Sequence, residues 1–373
     1  MASTHPSTTA HDAPAGTSKR RSTGRRMRTL AVVAASAAGI GLALTACSSS
    51  SNNSSSASSS DQTLVLYNAQ HEQTTNALIA GFEQATGIKV KTDNGDEDEL
   101  TAKIENEGSR SPADLVYTEN SNWLVQLDQK GMLSRVDDAT LASVPKQDSA
   151  TDGNWVGVSA RVATLVYNTK DLTTSQLPTK ALQMADPEWK NKIEIAPSET
   201  DFWPVVASMD KAYGDAATIN WLKGLKQNAG SGAAVPDNET LTSDVNLGTT
   251  QLALINHYYF YRLEAEVGKS SGHAALAYLA PQDPGYVQSI SGAAILKSST
   301  HQAAAQKFLQ YIAGEDGQKI LQHSNSFEYP IHPGVPANAA MPPLASLHPN
   351  DFSPADLGTG LQAKKLLQEA GLI

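Results

Sequence analysis

Short apolar runs alternate with longer amphipathic segments along most of this chain. Residues 63–67 (TLVLY) form a β-branched and aromatic run that predicts a strand. The next segment places its apolar side chains on one helical face and ends near Gly87, a residue typical of helix C-termini. Residues 88–92 (IKVKT) then alternate apolar and polar positions with the period of two that a strand requires. The pattern therefore predicts a β-α-β opening.

The same alternation continues toward the C-terminus. Further strands are predicted at 113–117, 192–195, 252–256 and 291–296, a turn at 93–95, and helices at 96–104, 122–129, around 221–225 and at 302–312. The longest strand-like run, residues 155–167 (WVGVSARVATLVY), is long enough to cross between two lobes. Alternating strands and helices predict an α/β fold with mixed, mostly parallel sheets, in which ligands bind where the strands end.

The N-terminal region departs from this pattern. Residues 1–28 carry six basic side chains and one acidic one, and residues 30–44 are apolar and uncharged. A basic region followed by about fifteen apolar residues is typical of a secretory signal and is shorter than a comfortable membrane span. The segment ends in Leu44-Thr45-Ala46-Cys47, which resembles the lipobox of bacterial lipoproteins. We therefore expect residues 1–46 to be a lipoprotein signal peptide and Cys47 to be lipidated.

A serine-rich stretch follows the cysteine. Ten of the thirteen residues from 48 to 60 are serine, a composition that buries no apolar surface. Residues 47–61 are therefore predicted to be a flexible tether that holds a folded body on the extracytoplasmic face of the cell membrane. The chain of 373 residues is long enough for two domains, and its single cysteine excludes intrachain disulfides and thiolate metal clusters.

Charge narrows the class of ligand. The whole chain has 28 basic and 38 acidic residues, a formal charge of −10. Removing residues 1–46 leaves 22 basic and 37 acidic residues, a formal charge of −15. The chain therefore lacks the basic surface that nucleic-acid binding requires, and a cation is a natural ligand. Phosphate-loop, H-E-x-x-H and G-x-S-x-G motifs are absent from the sequence, which argues against an enzyme.

Four candidate metal ligands follow predicted strands. His71 and Glu119 come shortly after the first and third strands, and Tyr258 and Tyr259 follow the strand at 252–256. Taken singly, each has an ordinary structural alternative: a helix-capping histidine, a surface carboxylate, or aromatic rings that pack or stack. Taken together, one imidazole, one carboxylate and two phenols favour a hard trivalent cation, because such an ion stabilises phenolate. Zinc would more often recruit cysteine or several histidines, and calcium would recruit carboxylates and carbonyls.

The tyrosine pair carries a structural condition. Adjacent residues in an extended segment face opposite ways, so both tyrosines can bind one ion only if a turn or helix begins there. His257, the residue before them, competes as a ligand by residue type. The pattern by itself leaves this choice open.

At these residues the chain resembles the periplasmic ferric ion-binding proteins, the solute-binding proteins of iron ABC importers. The resemblance spans nearly the whole predicted body, including residues 67–71 (YNAQH), 82–90 (FEQATGIKV), 112–119 (PADLVYTE), 221–226 (WLKGLK), 255–259 (INHYY), 282–285 (QDPG) and 291–294 (SGAA). It implies a ferric site made by His71, Glu119, Tyr258 and Tyr259. It also implies the two-lobed, type II-like periplasmic binding protein fold, with a hinge between the lobes. We assign 62–162 with about 288–338 to one lobe, and 163–287 with about 339–373 to the other.

Many members of this family also hold a synergistic anion such as phosphate or carbonate. The residues of this chain that the resemblance implies for that role, together with one arginine in the crossover strand, are Asn120, Arg161, Thr200, Asn238 and Asn256. Arg161 has a structural ion pair as its alternative. The turn at 198–201 (SETD) carries two acids where relatives have small neutral residues. These carboxylates would repel phosphate. This leaves three alternatives: they replace the anion, they contact the metal ligands without binding the metal, or they point outward.

The expected function is capture of ferric iron by a monomeric, non-enzymatic lipoprotein that delivers it to the permease of an ABC importer. The main alternative is a receptor of the same fold for thiamine, a phosphonate or a polyamine, in which the aromatic rings stack on the solute. A lipid-anchored enzyme using Glu119 and His71 as acid and base lacks an activated nucleophile. A purely structural lipoprotein gives no reason for the four donors.

Overall fold

The computed structural model describes residues 63–230, 237–269 and 272–373. The predicted signal peptide, Cys47 and the tether lie outside the described residues. The strands are β1 (Thr63–Ala69), β2 (Lys89–Asn94), β3 (Leu115–Thr118), β4 (Leu133–Ser134), β5 (Val156–Asn168), β6 (Ile193–Glu194), β7 (Leu252–Asn256), β8 (Ala274–Ala277), β9 (Gln288–Leu296) and β10 (Tyr329–Pro330). They lie in one sheet whose main path is β2-β1-β3-β9-β5-β7-β6.

Helices cover the sheet between these strands. They are α1 (Glu72–Thr86), α2 (Glu97–Glu107), α3 (Ser121–Gln129), α4 (Asp138–Leu141), α5 (Trp203–Tyr213), α6 (Asp215–Asn228), α7 (Asn238–Leu247), α8 (His257–Val267), α9 (Gln302–Ala313), α10 (Glu315–His323), α11 (Pro354–Leu357) and α12 (Gly360–Ala370). In the described part of the chain, no helix combines the length and the apolar character needed to cross a membrane.

The predicted β-α-β opening is confirmed. Helix α1 buries the apolar face that the sequence predicts, and Gly87 ends it in the left-handed conformation, with φ 74°. Strand β1 pairs in parallel with β2 on one side and with β3 on the other. The predicted turn at 93–95 is wrong for two residues: Asp93 and Asn94 continue β2, opposite Tyr67 and Asn68. Main-chain pairing with β1 therefore outweighs the turn preference of Asp-Asn-Gly.

Strand β5 joins two groups of strands. All thirteen of its residues are buried. As far as Val162 it pairs with β9, and from Ala163 onward it pairs with β7 and β8. The long apolar run at 155–167 is thus one continuous strand that belongs to two neighbouring parts of the sheet.

The expectation of mostly parallel pairing is wrong. Among the described strands, three pairs are parallel (β1–β2, β1–β3 and β6–β7) and six are antiparallel. The reason lies in β5 and β9, which run side by side in opposite directions, and each of the six antiparallel pairs includes one or both of them. The mixed α/β character that the sequence predicts is confirmed.

Candidate metal centre

All four predicted ligands lie at the start of a helix, directly after a strand. His71 is the N-cap residue of α1, and Glu119 lies between β3 and α3. Tyr258 and Tyr259 lie in the first turn of α8, which begins as soon as β7 ends. The condition on the tyrosine pair is therefore met, because a helix begins at His257 and turns both side chains inward.

The imidazole and the carboxylate contact each other. His71 Nδ1 lies 2.6 Å from Glu119 Oε1 and 2.6 Å from Gln70 Oε1. Burial lowers the pKa of His71, but the charges of Glu119 and Glu328 outweigh it and leave the pKa raised. The His71 ring also meets the Tyr258 ring edge-on, with 5.6 Å between their centres. The structure thus brings these two residues together with the tyrosine pair.

Both tyrosines donate to one carboxylate oxygen. The hydroxyl of Tyr258 lies 2.6 Å from Asp201 Oδ2, and the hydroxyl of Tyr259 lies 2.8 Å from the same atom. Both phenols are buried, and burial together with the charge of Asp201 holds the pKa of each well above 10. Each phenol is therefore neutral until a cation displaces its proton.

Asp201 comes from the acidic turn at 198–201, and it points inward. Burial raises its pKa, but Arg161 and the two tyrosine hydroxyls outweigh this and leave the pKa lowered. Its Oδ1 lies 3.6 Å from Arg161 Nε. Of the three alternatives for this turn, Asp201 therefore does not point outward, and it is ionised at neutral pH.

Arg161 lies beneath this carboxylate, fully buried in β5. Its Nη1 is 3.5 Å from Oε1 of Glu328, which is also fully buried. None of its three side-chain nitrogens has a hydrogen-bond partner in the described part of the chain. Glu328 also accepts a hydrogen bond from the Ser159 hydroxyl. Arg161 therefore forms the structural ion pairs that were the alternative to anion binding. Its side-chain N–H groups are still free to donate hydrogen bonds.

The other candidate anion residues form two groups. Asn120 donates its backbone and side-chain N–H groups to Glu97, at 2.6 and 3.0 Å, and its side chain lies 3.4 Å from Asp201 Oδ1. Burial and the charge of Glu119 raise the pKa of Glu97 to about 8, and the interactions of Glu97 with Asn120 and Thr200 oppose this rise. These two residues are thus engaged with Glu97, a buried carboxyl that the sequence pattern did not indicate.

Asn238 and Asn256 lie on the other side of Asp201. Both are buried, and with Asp201 they line a small internal space next to β7. The side-chain nitrogen of Asn256 has no hydrogen-bond partner among the described residues. Asn256 and Arg161 thus both have unused N–H donors that are buried beside Asp201.

His257 does not compete as a ligand. Its Nδ1 accepts a hydrogen bond from the Val162 backbone N–H at 3.2 Å, and its Nε2 lies 2.8 Å from the Phe327 carbonyl oxygen. Burial lowers the pKa of His257 to about 3. Both ring nitrogens therefore serve the structure.

Arg262 is a member of the site that the sequence analysis missed. Its Nη1 lies 2.9 Å from His71 Nε2 and 3.3 Å from Glu239 Oε1. Its guanidinium carbon lies 4.5 Å from the centre of the Tyr258 ring. Its helical spacing of four residues from Tyr258 was the signal that could have identified it.

The site opens into a cleft of about 470 Å³ lined by His71, Glu119 and the turn at 198–200. Within the described ranges, no three or more His, Cys, Asp and Glu side chains are grouped so as to hold a metal by themselves. A pair of buried phenols on one carboxylate, beside an imidazole and a second carboxylate, offers oxygen-rich ligation that suits a hard cation.

Comparison with known proteins agrees with this chemistry. Residues 110–352 match the family model described as bacterial extracellular solute-binding protein. The chain is 40% identical over 313 residues to the Fe(3+)-binding periplasmic protein of Serratia marcescens, which covers 84% of this chain and 91% of that protein. The compared proteins are solute-binding proteins.

Solved structures show the same fold. The iron-bound HitA of Pseudomonas aeruginosa has a TM-score of 0.79 and 38% identity, covering 83% of this chain and all of that one. A Trichodesmium protein in complex with iron and citrate has a TM-score of 0.73 and 26% identity, covering 83% of this chain and all of that one. The two-lobed periplasmic binding protein fold is thereby confirmed. The chain belongs to the bacterial extracellular solute-binding protein family, and the resemblance of its sequence to the periplasmic ferric ion-binding proteins is confirmed.

Proposed function

We propose that this protein captures ferric iron in the cleft and delivers it to the permease of an ABC importer. The observation that carries the proposal is the pair of buried phenols, Tyr258 and Tyr259, directed at the single carboxylate of Asp201. Relatives named for ferric iron binding, at up to 40% identity, support it. Solute-binding proteins carry their ligands unchanged, so no catalytic step is assigned.

The proposed ligands are His71, Glu119, Tyr258 and Tyr259, with Asp201 as a fifth protein group. Ferric iron favours phenolate, so binding releases the two phenol protons that Asp201 now accepts as hydrogen bonds. A cation bound by both phenolates would therefore also lie next to the carboxylate of Asp201. Because protons compete with the metal for these groups, iron affinity falls as the pH is lowered.

We also propose that Asp201 takes the place of a synergistic anion. It already supplies a negative charge beside Arg161, where an external phosphate or carbonate would otherwise lie. The unused donors of Arg161 and Asn256 support the competing arrangement, in which a small anion or water joins the site. The two arrangements differ in whether iron binding requires added anion.

Two lobes, 62–162 with about 288–338 and 163–287 with about 339–373, are proposed to close around the ion. The change of pairing partners along β5 at Val162 and Ala163 supports a hinge there. Closure is favoured because it brings His71 and Glu119 from one lobe to the tyrosines of the other. The protein is proposed to be a monomer, lipidated at Cys47 and held outside the cytoplasmic membrane.

Ferric titration read by visible absorbance tests the function, because tyrosinate bound to ferric iron gives a charge-transfer band. The parent protein should develop the band as iron is added. Tyr258→Phe and Tyr259→Phe should each lower the affinity for ferric iron by more than about 100-fold. Removing a residue that only hydrogen-bonds a metal ligand lowers affinity by roughly 10–100-fold. Tyr213→Phe, which alters a surface tyrosine, is the matched control.

Two results would contradict the proposal. One is an iron-loaded parent protein without the band. The other is a protein that, as purified, contains thiamine, a phosphonate or a polyamine by mass spectrometry and no iron by metal analysis.

A further inference from the structure

Arg262 contacts three of the four proposed iron ligands. It lies one helical turn along α8 from Tyr258, and its Nη1 is 2.9 Å from His71 Nε2. Its guanidinium carbon lies 4.5 Å from the centre of the Tyr258 ring and 5.7 Å from that of Tyr259. A permanent positive charge, one-fifth exposed, thus lies where a cation would be bound.

The contact with His71 uses the lone pair that a metal needs. An arginine N–H can only donate, so His71 Nε2 must be the acceptor. A ring proton then lies on Nδ1, which is 2.6 Å from Glu119 Oε1. Nε2 is then the nitrogen left for a metal, and it cannot serve iron and Arg262 at the same time.

A second partner for Arg262 lies toward solvent. Glu239 Oε1 is 3.3 Å from the same Nη1, and the Glu239 side chain is 58% exposed. If His71 Nε2 binds a metal, Arg262 keeps this carboxylate and the faces of the two tyrosine rings. The guanidinium can therefore leave His71 without losing all its partners.

We propose that Arg262 is a built-in competitor for ferric iron, which donates to His71 Nε2 until the metal displaces it toward Glu239. The proposal rests on the proposed function of this site. Iron must break a charge-assisted hydrogen bond to reach Nε2, and it then lies beside a positive charge. Both effects weaken iron binding and favour release of the ion. Arg262 is thus a positioning residue that sets how tightly the cargo is held.

The test compares ferric affinity and iron release in Arg262→Gln, Arg262→Lys and the parent full-length protein. Affinity is measured by competition with citrate, and release by transfer to an excess of a stronger chelator, both followed at the charge-transfer band. Arg262→Gln should bind iron at least tenfold more tightly and release it more slowly. Arg262→Lys keeps the charge and should stay within about threefold of the parent.

Glu239→Gln gives a prediction of opposite sign. Without the outer carboxylate, Arg262 stays on His71, so iron affinity should fall severalfold. In the Arg262→Gln background the same change should have a much smaller effect, and the difference between the two measures the coupling. An effect of Glu239→Gln that is equal in both backgrounds would show that Glu239 acts on iron directly, and it would overturn the proposal.

The outcomes separate this inference from the function. If the parent binds iron and Arg262→Gln binds it equally or more weakly, with an unchanged unfolding temperature, Arg262 supports the site and the inference is wrong. If the parent binds no ferric iron, the proposed function is wrong and the inference falls with it. If Arg262→Gln fails to fold, Glu239→Gln tests the inference by itself, because Glu239 is exposed. An iron affinity that is unchanged or increased in Glu239→Gln would then overturn the inference.

Discussion

Replacing Asp201 by Ala should convert a site that needs no external anion into one that does. The substitution removes the carboxylate that accepts both tyrosine hydroxyls, at 2.6 and 2.8 Å, and leaves space beside Arg161. Arg161 and Asn256 are buried beside Asp201 and have unused donors. A phosphate or carbonate ion would restore the lost negative charge.

The expected magnitude follows from the lost charge. Two unit charges about 4 Å apart attract by roughly 4 kcal/mol near a protein surface, and a trivalent ion gains about three times as much. The two hydrogen bonds that the iron-free protein loses offset only roughly 1.5–3 kcal/mol each, and tenfold in affinity corresponds to about 1.4 kcal/mol. Losing the carboxylate should therefore weaken ferric affinity by about a hundredfold or more in anion-free buffer. Arg161 also loses one of its two buried countercharges, and Glu328 remains as the other. Breaking a buried pair costs about 3–5 kcal/mol, so the free energy of unfolding should fall by about 3 kcal/mol.

The assay is ferric titration in buffer stripped of anions, repeated with added phosphate, carbonate or citrate. The parent should bind equally well in all of them, and Asp201→Ala should recover to within about tenfold of the parent when one anion is added. Glu199→Gln is the matched control from the same turn. Burial and neighbouring carboxylates raise the pKa of Glu199 to about 8, so Gln resembles its mainly neutral form at pH 7. A parent that requires phosphate, or an Asp201→Ala variant that binds iron like the parent without anion, would refute the reasoning.

Three further predictions concern stability and localisation. Burial raises the pKa of Asp148 to about 6, above the ordinary value of 3.8, so the folded state binds the proton more tightly and stability falls as the pH rises through this window. Asp148→Asn should remove this loss of stability, which is on the order of 2–3 kcal/mol at pH 7. The measurement is the free energy of unfolding from denaturant titrations of variant and parent at pH 4 and pH 7. An equal difference between variant and parent at both pH values would contradict the prediction. Phe308→Ala should cost about 3–5 kcal/mol, because Phe308 is fully buried against Phe82, whereas Leu247→Ala on the surface should change the unfolding midpoint little. Cys47→Ser should release the protein from the membrane fraction, and its retention there would exclude the lipid anchor.

Hydrophobic periodicity was enough to predict most elements of the fold. Strand β7 has the predicted bounds, and β5 is shifted by a single residue from the run at 155–167. The periodicity of side chains reports which face is buried, but it carries no information on strand direction. The prevalence of antiparallel pairs therefore could not be predicted from the pattern, since it arises from the positions that β5 and β9 take in the sheet.

Residue chemistry identified the four ligand candidates, and tertiary contacts added their partners. Glu328 lies 258 residues from Gln70, yet a buried contact of 3.4 Å joins their side chains, and no local motif signals this. Asp201 was visible in the sequence as an acid in an unusual turn. Only the structure shows that it faces both tyrosines.

The formal charges explain why a carboxylate suits the position of Asp201. Without iron and with both phenols neutral, Glu119, Asp201, Glu239 and Glu328 carry four negative charges, and Arg161 and Arg262 carry two positive ones. Binding a trivalent ion with release of two phenol protons changes the sum from −2 to −1. Buried charges are most stable when they are balanced. With Asp201 in place, an added phosphate would move the sum away from zero again, so the charge balance disfavours a further external anion.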